Sequence, residues 1–227
     1  VTSPDERHRP EKEAQQQPHT AAPTRTREQV IANTRELLDM ARAGLGDATG
    51  VDPRKRRPGL MNLFTYGRST TLAMQRMKSI DPAFEAWWKP HQERFGADPL
   101  MRYFNERRVD VIHAGELHTA AYGRIGHFDA AVAQKLNRHA PPNTIGMFFG
   151  DQLGGDGWIV RLPDGSDEKV YFQLPEDIDI ETGLALLDPP TEHDGKPIAD
   201  MSIAGIGAVY VNALTTLVEE FSVRFAE

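Results

Sequence analysis

An arginine pair, two carboxylates and a histidine crowd into one short stretch, Glu106-Arg-Arg-Val-Asp-Val-Ile-His-Ala-Gly115. An imidazole exchanges protons near neutral pH, and a guanidinium holds two oxygens of a phosphate with parallel donors. These side chains suit proton transfer at a phosphate ester. Glu106, Arg107, Arg108, Asp110 and His113 are the groups of this stretch that could supply it. On an ideal helix Arg108 and His113 lie about 140° apart, and Arg107 and His113 about 120° apart the other way. Convergence therefore needs a distorted helix end or a second subunit. Helix capping accounts for the same residues without chemistry: Arg and His in a last turn favour the negative end of the helix dipole, and Gly115 suits a left-handed C-cap.

Other charged groups carry weaker patterns. Arg54-Lys55-Arg56-Arg57 is the densest basic run, inside a Gly- and Pro-containing stretch (47–59) that reads as a loop. Such a run is a solvated loop or a contact for nucleic-acid phosphates. Asp110, His113 and His118 are spaced across a helix stop in a way that does not specify a metal, and none is expected. His127 and His139 have no evident partner. Asp151 and Asp156 fall in Gly150-Asp-Gln-Leu-Gly-Gly-Asp-Gly157, which lacks the calcium-loop pattern and reads as a hairpin turn. Acidic 176–181 is a solvated edge or a docking strip for a basic protein partner. Neither phosphate-binding glycine motif, no nucleophile elbow and no His-Glu-x-x-His pair occurs, so no cofactor is expected.

The elements that must position these groups predict an α+β fold. Residues 1–24 lack large apolar side chains and read as a disordered tail. A helical bundle is expected over 25–114. Its first helix carries Val30, Ile31, Thr34, Leu37, Leu38 and Ala41 at helical spacing up to a stop at Gly44, and a second runs from Leu60 to Met77. Asp81-Pro82 and Asp98-Pro99 each open a further helix, the aspartate accepting from free amides and the proline giving up one that would be unpaired. Neighbouring Trp87 and Trp88 point to different faces.

Over 115–227 the period shortens. Residues 143–150, 157–162 and 168–174 form a small antiparallel meander divided by turn sequences, with a strand near 121–125 and a short helix over 128–137. An acidic, Pro-punctuated connection follows. Ile203, Ile206, Tyr210, Ala213, Leu217, Phe221 and Phe225 then mark a long C-terminal amphipathic helix capped by Ser202 or Asp200, which can pack with the bundle as one domain.

With Arg107 or Arg108 set four to six residues before His113 inside a compact helical unit, residues 25–114 resemble the HEPN superfamily. The resemblance implies RNA as substrate, a homodimer, and cleavage without metal, with His113 as acid/base, Arg107 or Arg108 as the phosphate clamp, and Asp110 or Glu106 orienting the histidine. It covers well under half of the chain. In that family the arginine is often followed by Asn, Asp or His, whereas here Arg108 follows Arg107 and Val109 follows Arg108.

Composition bounds the remaining choices. The 227 residues include no cysteine, which excludes disulfides, zinc-thiolate centres and cysteine nucleophiles. No stretch is apolar enough for a signal peptide or membrane span, so a cytoplasmic location is expected. Net charge is −7, but residues 1–114 hold 19 Lys+Arg against 15 Asp+Glu while 115–227 hold 7 against 18. A polyanion would meet the front half. Two functions follow: a module that binds or cleaves RNA, or a non-catalytic protein-interaction scaffold.

Overall fold

The computed structural model describes residues 25–226. The expected tail over 1–24 lies outside them. The fold is α+β, with helices α1 (Arg27–Thr49), α2 (Pro53–Met74), α3 (Ala83–Ala97), α4 (Pro99–Ala114), α5 (Ala130–Asn137) and α6 (Ile203–Phe225). Among the described residues no helix is long and apolar enough to cross a membrane.

Local chemistry sets the helix starts. Thr26 and Gln29 form a reciprocal capping box at α1, while Asp52 and Asp98 cap α2 and α4 with a proline at the following position. At α3, Asp81 accepts from the Ala83 amide and pairs with Arg27.

Two expectations about the front of the chain are corrected. α1 does not stop at Gly44, and 47–59 is not one loop: α1 runs on to Thr49 and α2 begins at Pro53, so Arg54–Arg57 are helical. Gly44 is an interior residue at a close helix crossing. A Cβ on it would sit 2.7 Å from the Leu63 nitrogen and 2.8 Å from the Gly59 carbonyl oxygen, so α1 and α2 approach backbone to backbone. The second helix ends at Met74, and Gln75–Ser79 tighten into a 3₁₀ turn.

The strands form three small sheets. β2 (Thr144–Phe148), β3 (Gly157–Arg161) and β4 (Asp167–Tyr171) make the expected meander. β1 (Thr119–Ile125) pairs antiparallel with β5 (Ile180–Leu186), from Thr119 opposite Leu186 to Ile125 opposite Ile180. The acidic segment after 174 is thus not merely a connection. It supplies β5 and the two-residue strands β6 (Glu192–His193) and β7 (Lys196–Pro197).

α6 lies at the centre of the helical body. Ile206, Leu214, Leu217 and Phe221 are fully buried, and Tyr210 stacks on Phe104 with centroids 3.7 Å apart. Trp88 is buried against Phe84, while half-buried Trp87 packs on Phe221 and Phe225 from the neighbouring face. Leu184, Leu186 and Ile198 join this core from the β part. A second, smaller core gathers Leu136, Trp158, Val160, Ile178 and Ile180. β5 therefore contributes Ile180 to one core and Leu184 and Leu186 to the other.

Candidate functional site

The last turns of α4 are regular. Gly115 adopts φ 68°, and its amide bonds to the Val111 carbonyl, so the predicted left-handed cap is present. Arg107 Nη2 lies 3.3 Å from Asp110 Oδ2, and the Arg107 guanidinium covers the Tyr103 ring at 5.4 Å. From the far side of the cap, His118 Nε2 approaches the same Asp110 oxygen at 3.4 Å. Asp110 therefore faces His118, not the His113 it was expected to orient. His113 and Glu106 are exposed, and among the described residues no hydrogen bond or ion pair reaches either side chain. Chain folding at Gly115 brings His118 to the helix, a contact with no helical spacing to announce it.

Neither contact to Asp110 is aligned as a hydrogen bond. Of the six buried side-chain polar atoms without a hydrogen-bond partner among the described residues, four are Arg107 Nε, Arg108 Nε, Asp110 Oδ2 and Thr119 Oγ1. They lie on the last turns of α4 and the first residue of β1. Native folds leave few such atoms, and a concentration of them marks strain or a place completed by another molecule. Tyr103 stays a neutral phenol here: burial pushes its pKa up to about 12, and its hydroxyl donates to the Leu187 carbonyl.

Among the described residues Arg108 makes no ion pair, and its cation acts on Arg68 of α2. The expected pairing of Arg108 with His113 therefore does not form within one chain, in line with the angular separation of the two positions on a regular helix.

The remaining candidates are engaged in holding the fold. In the basic run, Arg54 pairs with Asp52, Lys55 lies 3.9 Å from Asp47, and Arg56 donates to the carbonyls of Gly50 and Gly154, tying α2 to the β2–β3 hairpin. Only half-buried Arg57 has no side-chain partner among the described residues. Asp151 accepts from Lys169, Tyr171 and the amides of Leu153 and Gly155; Asp156 accepts from Thr182 and the Gly150 amide. Both carboxylates are engaged by the turn itself and by donors from β4 and β5. In the acidic 176–181 strip, Asp179 and Glu181 face Arg124 and Asp177 pairs with Lys135. His127 bonds Asp129 and His139 stacks on Phe172.

Among the described residues, one group brings three metal-capable side chains together: Asp98, His193 and Asp194. Asp98 already accepts from the Met101 amide at 2.9 Å, the Asp194 amide at 2.8 Å and His193 Nδ1 at 3.0 Å. Burial alone would raise its pKa, but these donors outweigh it and leave the carboxyl below its usual range. The group is a latch between the start of α4 and the β6–β7 turn. His118 entered the sequence pattern only beside Asp110 and His113 across the helix stop; its contact with Asp110 and this latch depend on residues brought together by the fold.

Residues 46–131 match the family described as Bacteriophage lambda protein ea47, a span that holds α2, α3, α4, β1 and the whole Arg107–Asp110–His118 cluster. No curated protein and no solved structure matches the chain.

Proposed function

We propose that the protein cleaves RNA without a metal ion, with His118, Asp110 and Arg107 as the reacting cluster in place of His113. The observation that carries this reading is the buried Asp110 Oδ2, which has no hydrogen-bond partner among the described residues although Arg107 and an imidazole that is 39% exposed both approach it. Asp110 fixes the His118 ring, and His118 takes the proton of a ribose 2′-hydroxyl. The 2′-oxygen then bonds to phosphorus as the bond to the 5′-oxygen breaks, and the leaving oxygen takes a proton from His118 or water. Arg107 faces the developing charge with the guanidinium nitrogens not directed at Asp110, and Thr119 adds a hydroxyl donor.

The test is cleavage of a mixed single-stranded RNA substrate in the presence of chelator. Wild-type protein and His113→Ala cut equally, His118→Ala loses cutting by at least about a hundredfold, and Arg107→Lys is strongly impaired because lysine lacks the planar pair of donors. Equal cutting by wild type and His118→Ala, or complete loss with chelator, overturns the proposal.

A further inference from the structure

Arg68 on α2 and Arg102 and Arg108 on α4 have no carboxylate partner among the described residues. Arg68 on α2 has one side-chain partner among the described residues, the Thr71 hydroxyl at 2.6 Å, and its other charged neighbour is Arg108, whose Nε is buried and unpartnered. Burial, reinforced by the Arg108 cation, holds the Arg68 pKa below the usual guanidinium value. Two adjacent, partly desolvated cations are unfavourable unless an anion joins them.

A cleft of about 280 Å³ opens at this point between α2, α3, α4 and α6, lined by Arg68, Arg102, Trp88, Phe95, Asn105 and Tyr210. Trp88, Gln92 and Phe95 follow one face of α3 and bring two aromatic side chains and an amide to one wall. Tyr210 is 3% exposed, and its hydroxyl has no hydrogen-bond partner among the described residues. Burial pushes this phenol well above its ordinary pKa, so it remains a donor. Arg102 on α4 is exposed and lines the cleft, without an ion-pair partner among the described residues.

We propose that this cleft binds a nucleoside monophosphate unit, with the phosphate between Arg68 and Arg102 and the base against Trp88 and Phe95. A phosphate monoester carries close to two charges, matching Arg68 and Arg102, the two arginines that line the cleft, better than a carboxylate does. The flat base suits the aromatic wall, and the amides of Gln92 and Asn105 supply both donors and acceptors for its edge. The site does not rest on RNA cleavage, because its residues are separate from the Asp110 cluster.

Calorimetric titration with adenosine and uridine 5′-monophosphates tests the assignment. At least one nucleotide binds saturably, and Arg68→Gln and Arg102→Gln each weaken it at least tenfold, while His118→Ala leaves the affinity unchanged. Inorganic phosphate and the parent nucleoside each bind far more weakly than the nucleotide. Arg102 is exposed, so its variant keeps the test open if Arg68→Gln fails to fold. Competition by a 5′-phosphorylated single-stranded RNA supports the site and identifies its occupant as an RNA end; lack of competition supports a free nucleotide. No saturable nucleotide binding at several millimolar, equal binding of inorganic phosphate, or unchanged affinity in both arginine variants overturns the proposal.

Discussion

The buried carboxylates of the β part and the arginines around α4 meet the cost of desolvation in opposite ways. Asp151 gathers four donors from its own turn and from β4, and Asp156 gathers two from β5 and the turn. Their hydrogen-bonding capacity is spent on loop shape. Around α4, Arg68 feels the charge of Arg108 without a carboxylate partner among the described residues, and Arg107 shares Asp110 with His118 through contacts that leave the Arg107 Nε and Asp110 Oδ2 unpartnered. A charge saturated by its own chain stabilises one conformation, whereas an unsatisfied one gains from a ligand. The difference locates binding and chemistry around α4, although residues 115–227 hold 18 of the chain's 33 acidic residues.

The strongest test of this contrast asks first whether the two regions are one cooperative body. Leu217 is fully buried in the core that α6 shares with Leu184 and Leu186 of β5. Leu217→Ala should cost about 2–5 kcal/mol in urea unfolding, from lost transfer energy and the cavity left behind. Hydrogen exchange should accelerate together in α6 and β5. Acceleration confined to α6 would break the shared-core account.

A smaller effect separates saturated carboxylates from other surface acids. Asp151→Ala strands several donors and should cost about 1–3 kcal/mol, whereas Glu106→Ala, at an exposed side chain without a partner among the described residues, should change stability by less than about half a kcal/mol. Equal costs from thermal melts would dissolve the distinction.

Acid sharpens the same point. Burial pushes Asp151 upward, but Lys169, Tyr171 and the backbone donors together hold its folded pKa below the ordinary 3.8. Its contribution is fully present above 3.8 and is lost as pH falls through the lower folded value. Asp98 is shifted the same way. Asp156 runs opposite: burial raises its pKa, so its stabilising contribution appears at low pH and is lost as pH rises through the folded value. Net stability should therefore fall below about pH 4, and Asp151→Asn should flatten that decline. An unchanged pH profile in the variant would remove Asp151 from the account.

The smallest expected change lies in the cleft. Arg68→Met keeps an apolar stem and removes one of two neighbouring cations, so in ligand-free protein it should be neutral or stabilising by up to about 1 kcal/mol. A loss above about 2 kcal/mol would mean that Arg68 is already compensated within the fold.

Local chemistry made much of this architecture readable from residue order. Asp98-Pro99 announces a helix start because capping needs only adjacent groups, the stripe from Ile203 to Phe225 announces α6 because burial follows the helical period, and turn residues divide β2, β3 and β4. Tertiary structure decided the rest. Gly44 resembles a stop until Gly59 is seen against it, and the acidic segment after 174 resembles a connection until β1 supplies its pairing partner. The same holds for the candidate sites: Arg107 and Arg108 are neighbours in sequence, yet one meets Asp110 and the other Arg68, while His118 reaches Asp110 only because the chain turns at Gly115. Capping and periodicity are properties of consecutive residues, whereas these contacts arise when separate segments pack, and no spacing along the chain encodes which groups then stand within a few ångströms of one another.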